Sequence, residues 1–161
     1  MTLNSCRMNK EKLLTREIPE EISEKDEPMQ NRNDSTSSCF ACGTGNPRGL
    51  HLQFVLNEDQ RMVAKWTPDC DLEGYHGIVH GGIVSTVLDE AMAKVVAAIE
   101  GKALTAEIRV RFRRQVPSGE VTHIRGWIDS RNKKLINAEA DLIAQDGTEL
   151  AHAWGVFLRP R

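Results

Sequence analysis

The sequence predicts an α+β domain in which one long helix packs on a mainly antiparallel sheet of about six strands. Two patterns carry that prediction: period-two alternation in several short segments, and a single helical stretch between them. Leu50, Leu52, Phe54 and Leu56 alternate with polar or smaller neighbours as a half-buried strand does, and Met62, Ala64 and Trp66 repeat the pattern beyond the turn material Asn57-Glu58-Asp59-Gln60. Ala106/Ile108/Val110/Phe112, Ile136/Ala138/Ala140/Leu142 and Leu150/His152/Trp154/Val156 show the same period, with a weaker strand over Val121 to Ile128. Pro117-Ser118-Gly119 and Asp146-Gly147 are short turns, so neighbouring strands run antiparallel. From Gly82 to about Glu100 the spacing changes: Ile83, Val84, Val87, Leu88, Ala91, Met92, Val95, Val96 and Ile99 follow helical periodicity, and Gly101 closes the run. Apolar over a wide arc and small on the rest, this helix belongs inside the domain.

Composition narrows the function. The chain has 161 residues, suiting one domain, with 21 basic residues against 23 acidic, a net charge of -2. Neither a nucleic-acid surface nor an acidic tail fits that balance. No apolar run reaches the roughly 18 residues of a membrane span, and the first 30 residues lack a signal-peptide core. A cytoplasmic location with no membrane partner is the expectation. Residues 1–38 hold nine hydrophobic residues and the run Asn31-Arg32-Asn33-Asp34-Ser35-Thr36-Ser37-Ser38, which has nothing to bury. They are expected to be a flexible tail, with Glu11 to Lys25 as a transient helix. Residues 39–161, balanced at 15 basic and 15 acidic, are the domain.

The chemistry concentrates at Tyr75-His76-Gly77-Ile78-Val79-His80-Gly81-Gly82, which runs directly into the helix. Glycines there let a ligand approach the free N–H groups of the first turn, where the helix dipole favours an anion or a developing oxyanion. Asp89 lies about two turns on, at the edge of the apolar arc. A helix rises about 1.5 Å per residue, so Gly81 and Asp89 of one chain stand roughly 12 Å apart. Contacts near 3 Å to one reacting atom therefore need Asp89 from a second subunit, and a homodimer is predicted.

Cys39-Phe40-Ala41-Cys42-Gly43, Asn46-Pro47-Arg48-Gly49-Leu50, Gly77-Ile78-Val79-His80-Gly81-Gly82 and Asp89 together resemble the hotdog-fold acyl-CoA thioesterases, in particular the phenylacetate-pathway (PaaI-type) branch. The likeness covers about residues 39–158. It implies a central helix wrapped by a six-stranded sheet, hydrolysis of an acyl-CoA thioester to free acid and coenzyme A, no cofactor beyond the coenzyme A of the substrate, and no metal. It also implies a dimer whose sheets join, with pairs of dimers forming a tetramer in many relatives. Carried over by position, Gly81 N–H polarises the thioester carbonyl, and Asp89 of the partner serves as general base or nucleophile. Thr105 orients the water or the carboxylate, and His80 supports the oxyanion turn. Many relatives carry an Asn or Gln shortly before His-Gly-Gly as a second carbonyl donor. Gly74, Tyr75 and His76 stand there in this chain, so that donor is absent or replaced by His76.

Other features have competing explanations. Arg109, Arg111 and Arg113 share one face of a strand with Arg114 beside them; they form a solvated face, or Arg111, Arg113 and Arg114 grip the coenzyme A phosphates with Lys133 and the Gly82 N–H. Cys39 and Cys42 have zinc-like spacing, but Cys6 and Cys70 stand alone and no His pair completes a set, so two small thiols packed in a turn are expected. Trp66, Trp127 and Trp154 fit a core or an interface; Val87, Met92 and Trp154 are candidate floor residues for the acyl pocket. A hydratase would need a His acting with an acid near the carbonyl, for which no second motif is present. A non-catalytic acyl-CoA binding domain is the alternative to a hydrolase.

Overall fold

The computed structural model describes residues 38–160. The expected tail, including the Glu11 to Lys25 segment, lies outside these residues except for Ser38. One helix, α1 (Gly81–Glu100), packs on a six-stranded sheet built from β1 (Val55–Leu56), β2 (Met62–Trp66), β5 (Leu104–Phe112), β6 (Thr122–Arg131), β7 (Leu135–Ala144) and β8 (Glu149–Leu158). A small hairpin, β3 (Glu73–Tyr75) and β4 (Ile78–Val79), leads into the helix. The sheet order is β1-β2-β6-β7-β8-β5, and every neighbouring pair is antiparallel. This is the α+β layout that the periodicities predict, and the hotdog architecture that the resemblance implies.

The helix lies close to the sheet because the sheet offers it a trough of small residues. Ala138 and Ala140 of β7 and Ala151 and Ala153 of β8 are buried in one core cluster with Leu88, Met92, Val95 and Val96 of α1. At the tightest points the sheet carries glycine. A Cβ on Gly126 would stand 2.6 Å from the Ala91 carbonyl oxygen, and one on Gly155 would stand 3.0 Å from the Met92 sulfur. Since the obstacle at Gly126 is helix backbone, it has nowhere to rotate. Gly126→Ala is expected to destabilise the domain by about 1–3 kcal/mol, measurable as a lower denaturant midpoint.

Two strands depart from the sequence pattern. Only Val55–Leu56 of the Leu50–Leu56 run is sheet. His51 takes a left-handed conformation (φ 50), and the N–H groups of Leu50 and Leu52 go to the carbonyls of Phe40 and Ala41, so the segment pairs with the cysteine turn while Leu52 and Phe54 still reach the core. In β8 the face is reversed. Ala151, Ala153, Gly155 and Phe157 meet the helix, and His152 and Trp154 project from the outer side. Trp154 is therefore no floor for an acyl pocket. It packs against His152 at 4.4 Å between ring centroids, with the Arg109 guanidinium 5.3 Å from its ring.

Candidate functional site

His80 starts α1. Its backbone is extended (φ -60, ψ 133), and its Nδ1 accepts the Gly82 N–H at 2.9 Å. The imidazole thus fills the role usually taken by Ser or Asp at a helix N-cap, and its remaining proton sits on Nε2. The ring also packs on Gly74, where a Cβ would lie 3.1 Å from the His80 Cδ2. His80 carbonyl oxygen accepts from Ile83 and Val84. Of the first four helical N–H groups only that of Gly81 has no acceptor among the described residues. Gly82, expected to donate to coenzyme A, is instead satisfied by the cap.

Phe112, at the end of β5, lies over Gly81: a Cβ there would come within 3.3 Å of its ring. Around them is a cavity of about 400 Å³ lined by Ile78, Val79, Gly81, Val84, Phe112, Arg113, Arg114, Gln115 and Val116. The structure thus brings Arg113 and Arg114 to Gly81. Arg113 also pairs with Glu149. Arg111 is not brought there, because β5 ends at Phe112 and Arg113 leaves the alternation, whereas Arg111 stays opposite His152 on the outer face. Lys133 is in the β6–β7 turn beside Arg131, which pairs with Glu100 at the far end of α1. A 20-residue helix is about 30 Å long, so within one chain Lys133 is remote from Gly81. His76 is exposed, 3.6 Å from the Glu73 carboxylate.

Asp89 is half-buried on α1, and the Thr105 hydroxyl donates to its Oδ1 at 2.9 Å. Burial pushes its carboxyl above the usual carboxylate range; the Thr105 hydrogen bond opposes that shift and the neighbouring Glu90 charge adds to it. Thr105 reaches Asp89 through a β-bulge. Strict alternation from Ile108 would turn Thr105 to the outer face. The register shift between Thr105 and Glu107 sets Thr105 opposite the buried Phe157 and Glu107 opposite Val156, which turns Thr105 inward. Glu90, the other acid on this helix, faces elsewhere: its Oε1 is 3.7 Å from Lys94 Nζ, and the Cys39 thiol donates toward Oε2 at 3.9 Å. Burial, and then Glu90, push the Cys42 thiol up to about 12.

β5 borders this site and, among the described residues, is a sheet edge, paired on one side only, with β8. Its helix-side residues Ile108 and Phe112 are 38% and 52% exposed. Alternation marks them as one face of a strand and cannot tell a face covered by the same chain from one left for another. Phe112 as a neighbour of Gly81 also went unforeseen; its position at the strand end facing the helix start is visible only in three dimensions.

The model of the thioesterase superfamily matches residues 76–151, from the glycine turn into β8. The chain is 26% identical over 115 residues to acyl-coenzyme A thioesterase THEM4 of Bos taurus, covering 69% of this chain and 47% of that protein. It spans about half the length of the curated relatives it matches. Among solved structures, a thioesterase superfamily protein superposes with a TM-score of 0.71 at 23% identity, covering 73% of this chain and 61% of that one. The Escherichia coli PaaI protein of the phenylacetic acid degradation operon superposes at 0.64 and 17% identity, covering 68% and 84%. Among the described residues no helix is long and apolar enough to cross a membrane.

Proposed function

We propose that this chain, which belongs to the thioesterase superfamily, hydrolyses acyl-CoA thioesters in a site shared between two copies. The observation that carries the proposal is the Thr105–Asp89 pair: a half-buried carboxylate held by a hydroxyl beside an unpaired sheet edge. A thioester lacks amide-like resonance, so hydrolysis needs a polarised carbonyl and an activated water. Gly81 N–H supplies the first, at the positive end of the helix dipole. Asp89 of the partner subunit supplies the second. Raised by burial, it is the stronger proton acceptor, and Thr105 holds its other oxygen so that one lone pair faces water. Water attacks the carbonyl carbon as Asp89 takes its proton, the oxyanion is held by Gly81 N–H, and the C–S bond breaks to release coenzyme A thiolate. His80 does not touch the substrate; by capping Gly82 it keeps the Gly81 donor in place. Arg113 and Arg114 supply cationic contacts for the phosphates.

Pairing follows from β5. Two copies joined edge to edge would cover Ile108 and Phe112 and satisfy the free backbone groups of both strands. Ile108→Lys, which puts a charge in that seam, is expected to give a monomer by analytical ultracentrifugation, with thioester hydrolysis reduced at least about a hundredfold because neither oxyanion donor has its carboxylate. The first test is thiol release from short, long and aromatic acyl-CoAs by the purified chain. Turnover is expected. Saturable acyl-CoA binding without turnover would instead assign a binding domain.

A further inference from the structure

Away from the Thr105–Asp89 pair, the fold gathers a second set of chemical groups. The turn at residues 39–43 is closed by the Gly43 N–H to the Cys39 carbonyl at 2.9 Å, and the His51 ring contacts the Gly43 carbonyl at 3.0 Å. The pairing of Leu50 and Leu52 with Phe40 and Ala41 presses this turn onto α1 at Glu90. One sulfur from each of Cys39 and Cys42 and one oxygen of Glu90 all lie within 4.8 Å of one another, and each of the three residues is half-buried.

We propose that Cys39, Cys42 and Glu90 bind a thiophilic divalent cation of the zinc class, with Lys94 as the balancing charge. Ligand atoms around tetrahedral zinc, with bonds of about 2.3 Å to sulfur and 2.0–2.2 Å to oxygen, stand roughly 3.5–3.8 Å from one another. With its atoms within 4.8 Å of one another, the present cluster is at most about 1 Å wider than that. A Cys-x-x-Cys turn is the usual source of two thiolates, and a carboxylate is an accepted third ligand. The fourth position is left to water.

Charge supports the assignment. Two thiolates and a carboxylate around a divalent ion leave one negative charge, and Lys94 Nζ, on the opposite oxygen of Glu90, cancels it. On binding, the two thiol protons leave to solvent. Packing two apolar thiols would call for no carboxylate between them and a lysine. Partial exposure gives the ion a way in. The site would tie the turn to the helix one residue from Asp89. It stands whether or not the chain hydrolyses thioesters.

The test uses the full chain, reduced, with Cys6 and Cys70 both replaced by serine so that only this pair and its carboxylate report. Cobalt(II) alone, added as a spectroscopic stand-in for zinc, is expected to bind at one equivalent with thiolate-to-metal absorption in the near ultraviolet. Zinc is expected to displace it and to raise the thermal midpoint. Cys39→Ser and Cys42→Ser should each abolish the absorption, and Glu90→Gln should weaken cobalt binding at least about tenfold while leaving a folded protein by circular dichroism. Folded, reduced protein that shows no such absorption overturns the proposal. So does absorption that survives when Cys39→Ser and Cys42→Ser are combined in that background, or a Cys39–Cys42 disulfide that forms under mild oxidation while the reduced pair takes up no cobalt.

Discussion

Asp89→Asn is expected to lower kcat for acyl-CoA hydrolysis by a factor of about 10²–10⁴, the range that a positioned general base contributes. The same change should stabilise the protein. Burial raises the Asp89 carboxyl, so the folded state binds its proton more tightly than the unfolded chain does. Ionised Asp89 therefore costs stability at neutral pH, and that cost vanishes once the pH is low enough to protonate both states. The thermal midpoint of Asp89→Asn should exceed that of the wild type at pH 7, with the gap closing as the pH falls through the raised pKa toward about 3.9, the ordinary value for Asp. Activity moves the opposite way, since a base must be ionised: the acid limb of kcat/KM should lie above the ordinary carboxylate range. The Thr105 hydrogen bond holds the Asp89 carboxyl down. Thr105→Val should therefore move that limb to higher pH, a shift that loss of packing alone would not cause. A wild-type limb at the ordinary carboxylate value, or full activity in Asp89→Asn, would remove Asp89 from the mechanism.

The second large effect comes from one backbone hydrogen. Gly81→Pro deletes the Gly81 N–H with little harm to the helix, because proline is favoured at the first helical position and His80, extended at φ -60 and ψ 133, has the backbone that a residue before proline prefers. The added ring presses on Phe112, which is exposed enough to move. The loss of one oxyanion donor is expected to cost about 10²–10³ in kcat with the fold retained. The two variants together test the shared site. If Gly81 and Asp89 meet across subunits, a chain carrying only Asp89→Asn and one carrying only Gly81→Pro form a mixed dimer with one intact site. Unfolding and refolding the two inactive proteins together should then restore about a quarter of wild-type activity, as random two-fold pairing requires. If each site lies within one chain, the mixture stays inactive.

The sequence made some of this legible and hid the rest for physical reasons. Nine apolar residues at helical spacing outlined α1, and Gly101 (φ 82) marks its end as expected. The glycine turn before the helix was equally plain, since few other residues allow that approach. His51 was not, because a left-handed histidine leaves no trace in a hydropathy pattern that Leu52 and Phe54 otherwise complete. The β8 face was misjudged because the helix needs small partners, so Ala151, Ala153 and Gly155 face inward while His152 and Trp154 stack outside. Thr105 was singled out by resemblance; alternation alone points it away from Asp89, and only the bulge turns it back. The third donor near Cys39 is Glu90, 51 residues along the chain, a separation that no local spacing rule spans.

The two ends of the main sheet differ in a way that bears on how large an assembly can grow. Among the described residues, β5 forms a nine-residue edge at one end, open on the side away from β8, while at the other end β1 forms an edge of two. Strand addition that used alternate ends would lengthen without limit, as fibres do. Among the described residues only one end is long enough to hold a neighbour, so the proposed β5–β5 pair would use up the adhesive edge of both members and leave stubs outside. In the proposed pair, growth through the sheet would stop at two, and the same asymmetry is expected to disfavour ribbon formation in a concentrated solution of this chain.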